Sequence, residues 1–157
     1  MERHTEAIAA HYAQENLIET ILSALETDGK DLSALTIDDL QMVDEVHTRG
    51  RETTAEVVGL TDFDALHRVV DLGSGVGGPA RYIAATYGCQ VTGIDLTRSF
   101  VDAANRLSGL VGLADRARFR AGSALATPFD ADTFERAVTI QMQMGIADKE
   151  ALYREVF

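Results

Sequence analysis

The sequence predicts an α/β fold, a doubly wound parallel sheet with an N-terminal helical cap, and three observations carry that prediction. From Arg68 onward, short apolar runs alternate with helical patterns, which implies parallel strands joined by right-handed crossovers. Residues 69–95, VVDLGSGVGGPARYIAATYGCQVTGID, condense one such unit into strand, glycine turn, helix and strand. In an α/β sheet that unit opens a crevice at the carboxyl ends of its strands. Nothing in residues 1–60 reads as a strand, so this stretch is a helical cap and residues 61–157 form the sheet domain.

Taken in order, residues 5 to about 27 place Ile8, Tyr12, Leu17, Ile18, Ile21, Leu22 and Leu25 at helical spacing, and Gly29 closes that helix. Thr36 stands three residues before Asp39, a capping arrangement that opens a second helix, IDDLQMVDEV. A polar loop, HTRGRE, leads to a third helical pattern, TTAEVVGL. Strands follow at about 68–72, 90–95, 117–121 and 135–142, alternating with helices at about 78–87, 98–110 and 148–157. SALATPFDADT, between the third and fourth strands, has room for a short turn or one helical turn. Neither a repeat nor a low-complexity segment is present, and Pro79 and Pro128 are the two prolines.

With 157 residues, 46% hydrophobic and 25% charged, the chain has the length and composition of one domain with a real core. No apolar run is long enough to span a bilayer. Fourteen basic against 25 acidic residues give a net charge of −11, which repels phosphate backbones and anionic membrane surfaces. Nucleic-acid and membrane partners are therefore disfavoured. Cys89, the single cysteine, has no internal disulfide partner and reads as buried and inert, and the N-terminus shows no signal core. The expectation is a soluble, cytoplasmic protein. His4, His11 and His67 are scattered without metal-ligand spacing, so no metal is expected.

The glycine turn admits two readings. Gly73, Gly75 and Gly78 fit G-x-G-x-x-G, the dinucleotide fingerprint, with Asp95 in the place of a ribose-binding acid. Gly73, Gly75 and Gly77 equally fit D-x-G-x-G-x-G, led by Asp71. A dinucleotide brings a pyrophosphate to the helix N-terminus. S-adenosyl-L-methionine (SAM) brings an amino-acid end with an ammonium instead. An acid inside the turn suits the ammonium and repels phosphate, so Asp71 favours SAM.

On these residues the stretch resembles motif I of the class I SAM-dependent methyltransferases, and VTGIDL resembles the motif after it. VDEVHTRGRE, GGPARYIAATYGCQVTGIDLT and IADKEALYREVF are similar to the small-molecule branch that includes sarcosine and dimethylglycine N-methyltransferases. The resemblance covers roughly residues 10–157. It implies a Rossmann-like sheet of order 3-2-1-4-5-7-6, of which this chain carries 3-2-1-4. It also implies that Asp71 faces the methionine ammonium, that Gly73, Ser74 and Gly75 let backbone pass close to methionine and ribose, and that Asp95 accepts both ribose hydroxyls. Leu96 would lie on the adenine. Ser123 stands where many relatives carry an acid for the adenine amino group, which shifts that contact toward the backbone of Ala124 and Leu125. For Asp71 and Asp95 the plainer alternative is a strand-end acid capping the next helix, and for Ser123 a simple turn residue.

Beyond the cofactor, Gln141 at the end of the fourth strand takes a place where relatives often carry histidine, and it can position a substrate without acting as a base. His47 is the one base that can be assigned to the site. Thr48 and Arg49 beside it are candidates for holding the methionine carboxylate or a carboxylated substrate. A solvated helix–helix loop is the plainer reading of all three. Tyr12 either closes over SAM or faces the core. Met142 and Met144 read as core or pocket wall.

The fourth strand of this chain has an unpaired apolar edge, AVTIQM, of a kind that invites pairing. The expectation is either a piece of a longer enzyme or a homodimer through this edge or the final helix. The reading that follows is a methyltransferase of a small-molecule methyl acceptor, amine-bearing by its resemblance. A non-catalytic or truncated SAM-binding module and a nucleotide-dependent oxidoreductase stand behind it.

Overall fold

A computed structural model describes residues 16–157. Strands β1 (Arg68–Leu72), β2 (Gln90–Asp95), β3 (Ala117–Ala121) and β4 (Arg136–Val138) form one parallel sheet of order β3-β2-β1-β4. This is the order implied by the resemblance. Val69, Val70, Asp71 and Leu72 of β1 are all buried, because a central parallel strand is covered on both faces and has no solvent side to alternate toward.

On one face lie α4 (Gly78–Tyr87) and α5 (Arg98–Leu110), whose Ala80, Ile83, Ala84 and Ala104 pack on Val69, Val91 and Phe119. Pro79 in the first turn and Gly88 in the left-handed conformation at the other end fix the limits of α4. On the opposite face Leu152 of α6 (Lys149–Val156) joins Val70, Leu72, Ile94 and Ala124. Asp148 starts α6 by accepting from the Ala151 amide at 2.8 Å.

The cap consists of α1 (Leu17–Thr27), α2 (Ile37–Asp44) and α3 (Gly50–Val58). Thr36 and Asp39 form the expected capping box of α2. Ile21, Leu25, Leu35 and Leu40 share a cluster with Val76, Ala103 and Leu107, so the cap and the sheet domain bury a common surface.

Several boundaries differ from the sequence reading. The helix expected from residue 5 begins at Leu17, after Asn16 in the left-handed conformation, and residues 5–15 lie outside the described part. α2 stops at Asp44 instead of 46, because Asp44 and Glu45 turn into a buried polar cluster. Gly50, Arg51 and Glu52 are helical, so α3 starts earlier than expected. β4, expected over 135–142, is three residues long, because its ladder with β1 ends at the Asp71–Val138 pair, where β1 gives way to the glycine turn. Between β3 and β4, an isolated antiparallel bridge joins Ser123 to Ala126. Cys89 is buried, its thiol donating to the Asp64 carbonyl at 3.1 Å. Among the described residues no helix is long and apolar enough to cross a membrane, and no cluster of His, Cys, Asp or Glu is arranged to hold a metal.

Candidate functional site

A cavity of about 450 Å³ opens at the carboxyl ends of β1, β2 and β3, with the segment after β4 and the α2–α3 loop as its remaining walls. It lies where the strand–turn–helix logic puts it. Asp71, Gly73, Ser74, Gly75, Asp95, Leu96, Ser123, Ala124, Leu125, His47 and Gln141 all line it.

Asp71, the fourth residue of β1, is 2% exposed, and its Oδ2 has no hydrogen-bond partner. Burial pushes its carboxyl up to about 7, and the charges of Asp95 and Glu45 add to the rise. The Ser74 hydroxyl is also buried without a partner. Asp95 ends β2 and steadies the turn: Oδ2 accepts from the Gly75 amide at 2.9 Å and Oδ1 from the Thr97 amide at 2.8 Å. Each oxygen keeps a further lone pair. Neither bond caps α5, whose N-cap residue is Thr97, and the carboxylate remains able to accept from a ligand.

The glycines differ in purpose. At Gly75, φ is +54° and a Cβ would meet nothing within 4 Å, so the residue opens onto the cavity. At Gly73, φ is +74° and a Cβ would lie 2.1 Å from Cγ of Met142. The space above Gly73 is therefore filled by protein. Ser123 Oγ accepts from the Leu125 amide at 3.1 Å and shapes the turn after β3.

His47 is braced from below. Its Nε2 lies 2.9 Å from Glu45 Oε2 and 3.1 Å from Thr54 Oγ1, and the Thr54 hydroxyl donates to the same Glu45 oxygen at 2.7 Å. Arg51 pairs with the other Glu45 oxygen. Gln141 is in a turn with φ 56°, not on a strand, and its Oε1 accepts from the Thr48 amide at 3.1 Å, tying the two walls together. The Thr48 side chain does not line the cavity, and neither does Arg49. Arg49 is the N-cap of α3, and its guanidinium is clasped by Glu56 at 2.7 and 3.0 Å in solvent. Tyr12 lies outside the described residues.

Sequence reasoning missed the apolar wall of Val46, Phe100, Ile140 and Ile146 and the polar cluster beneath the site. In that cluster the fully buried Arg81 donates to Asp44 Oδ2 and the Ala104 carbonyl, each at 3.0 Å, and to the Val76 carbonyl. Burial raises Asp44 to about 6 despite the opposing Arg81 charge. The available signal was an arginine in the alanine-rich stretch PARYIAA and the adjacent acids Asp44 and Glu45 at the end of a helix. Among the described residues that line the cavity, Asp44, Asp71, Asp95 and Asp148 are acidic, and none is Lys or Arg.

An unpartnered acid beside a backbone cradle, in an acidic cavity, suits a ligand with a cationic end and repels a pyrophosphate. Residues 69–157 match the sequence model of the family described as Methyltransferase domain. The chain belongs to that family. As a class I methyltransferase domain it takes SAM as its cofactor, and the dinucleotide reading of the glycines is set aside. Methyltransferase GfsG of Streptomyces halstedii is 30% identical over 118 residues, spanning 75% of this chain and 42% of that protein. Phosphoethanolamine N-methyltransferase 1 of Triticum aestivum is 34% identical over 112 residues, spanning 71% of this chain and 22% of that protein. The methyltransferase chain therefore spans less than half the length of these curated relatives. Among solved structures, geranyl diphosphate C-methyltransferase from Streptomyces coelicolor A3(2), in complex with Mg2+, geranyl diphosphate and S-adenosyl-L-homocysteine, has a TM-score of 0.70 at 22% identity. It covers 98% of this chain and 59% of its own. That likeness is one of fold, and it extends over the helical cap as well as the sheet.

Proposed function

We propose that this methyltransferase domain acts in methyl transfer from SAM to a small molecule, and that the acceptor is an amine. Asp71 carries the reading: a buried carboxylate with an unpartnered oxygen, beside an open glycine turn, suits the α-ammonium of the donor. Asp95 holds the ribose hydroxyls with its remaining lone pairs. Gly75 gives the backbone its close approach, and Leu96, Ser123, Ala124 and Leu125 surround the adenine. SAM, when bound, supplies a methyl group already activated by its sulfonium. What the protein adds is orientation and exclusion of water, which needs no strong base for an amine that arrives unprotonated.

The acidic lining supports the amine, because transfer moves the positive charge from the sulfonium sulfur to the amine nitrogen, and a cavity whose described lining is acidic and holds no Lys or Arg suits a cation at either atom. The resemblance to sarcosine and dimethylglycine N-methyltransferases points the same way. Gln141 positions the acceptor and His47 borders it. A non-catalytic or truncated SAM-binding module is the second reading, favoured by serine at 123, where many relatives carry an acid for the adenine amino group.

Calorimetry with SAM and NAD tests the cofactor. SAM is expected to bind and NAD not to, and Asp95→Ala is expected to weaken SAM by roughly tenfold or more, the weight of charge-assisted hydrogen bonds. Absence of SAM binding, or an Asp95→Ala variant with unchanged affinity, overturns the assignment. Transfer of label from methyl-labelled SAM to a pool of small amines then separates the catalytic reading from the second one.

A further inference from the structure

A single exposed apolar side chain is ordinary on a protein surface, but two of them here belong to the wall of one cavity. Val46 is 74% exposed and Met144 81% exposed, and both line the space at the carboxyl ends of the strands. The half-buried Ile140, Met142 and Ile146 line the same space. The groups assigned above to the donor are on β1, β2 and the turns that follow them. Val46 and Met144 come instead from the α2–α3 loop and the segment after β4.

The backbone beneath both side chains is held. After α2 the carboxylates of Asp44 and Glu45 are drawn into the buried polar cluster, Asp44 by Arg81 at 3.0 Å and Glu45 by Arg51 and by the Thr54 hydroxyl at 2.7 Å. Val46, next in the chain, is left on the cavity wall. Met144 is the middle residue of a 3₁₀ turn, Gln143–Gly145. The Ile146 amide donates to the Gln143 carbonyl at 3.1 Å, and Lys149 Nζ donates to the same carbonyl at 2.6 Å and to that of Ile146. The bond from the Thr48 amide to Gln141 Oε1 joins the two segments. An apolar ligand can therefore be covered without first ordering a loop, which lowers the entropy lost on binding.

We infer that Val46 and Met144 are specificity-determining residues for the methyl acceptor, and that they select an amine with an apolar body over a small polar amine such as sarcosine. This rests on the amine reading above and names the class of amine. Area is the physical reason. An apolar chain lying against Val46 and Met144 takes itself and both side chains out of water, and each methylene covered adds about fourfold in affinity. A small amino acid covers neither side chain, and it brings a further carboxylate into a cavity whose described lining is acidic.

The test is calorimetry on the 157-residue chain loaded with S-adenosyl-L-homocysteine and titrated with n-butylamine, n-hexylamine, n-octylamine and sarcosine. Affinity is expected to climb by roughly 100-fold from butylamine to octylamine, with sarcosine weaker than octylamine. The double variant Val46→Ser with Met144→Ser is expected to cut that climb by about tenfold or more while moving butylamine by less than about twofold, and Met144→Leu, which keeps the apolar bulk, to retain it. An affinity independent of chain length, or a climb that survives the double variant, overturns the inference and leaves the amine reading standing. Binding of S-adenosyl-L-homocysteine without binding of any amine overturns the amine reading as well, and failure of S-adenosyl-L-homocysteine to bind overturns the SAM reading and all that rests on it. The urea midpoint of the double variant is expected to match that of wild type. A clear fall in that midpoint means that the chain itself covers the two side chains, and the inference falls.

Discussion

Asp71 is buried at the expense of stability, and the proposed contact with the donor's ammonium gives that cost a use. Its carboxyl is raised to about 7, first by burial and then by Asp95 and Glu45, with one oxygen left unpartnered. An acid raised from its ordinary value of about 3.9 leaves stability intact below that pH, erodes it as pH climbs toward 7, and leaves the cost in place above. Asp71→Asn removes the charge, so the variant is expected to resist urea better than wild type at pH 8, by on the order of 1–2 kcal/mol. At pH 4 the difference is expected to close. The same substitution is expected to weaken SAM at pH 8, so stability and affinity move in opposite directions. A variant less stable than wild type at pH 8 contradicts this account of Asp71. Asp71 and Asp95 were legible in the sequence because each ends an apolar run at fixed distance from the glycines. Glu45 and Thr54 were not, since a buried acid and its hydroxyl partner look like any polar residues until the helices bring them under His47.

Among the elements, α4 shows how far a local pattern reaches. Its limits could be read from Gly77, Pro79 and Gly88, yet Arg81 in its interior is bonded to Asp44, 37 residues away, and to the carbonyl of Ala104 on α5. Removing the buried guanidinium takes from Asp44 its close counter-charge and hydrogen bond, with Arg51 left beside it only at 3.9 Å. Arg81→Leu is expected to cost about 3–5 kcal/mol in urea unfolding, and Arg81→Leu with Asp44→Leu to recover much of it, because an apolar pair needs no compensation. A double variant no better than the single one would mean that Arg81 acts mainly through the Val76 and Ala104 carbonyls. β4 teaches the complementary lesson. AVTIQMQM is apolar enough for a long strand, but a strand is as long as its neighbour allows, and β1 ends one residue past the last pair. Beyond it Gln141 takes φ 56° and Met142 fills the space over Gly73, neither of which is written in the local sequence.

At the scale of the molecule, the division at residue 60 that the sequence suggested is a change of secondary structure within a shared core. Leu40 of α2 and Leu107 of α5 are both fully buried in one cluster, and Asp44 of the cap is the counter-charge of Arg81 in the sheet domain. The cap also supplies Val46 and His47 to the cavity. The whole chain is therefore expected to melt in one transition, and SAM at 100 times its dissociation constant to stabilise it by about 2.7 kcal/mol. For a chain of this size that is a rise of roughly 5–10 °C in midpoint. Residues 61–157 alone would expose Val76 and Leu107 and strip Arg81 of its carboxylate, so that segment is expected to show neither a cooperative transition nor a shift with SAM. Calorimetric melting of the two polypeptides side by side checks this: a segment that melts cooperatively and still shifts with SAM would make the helices before β1 an accessory and not a wall of the site.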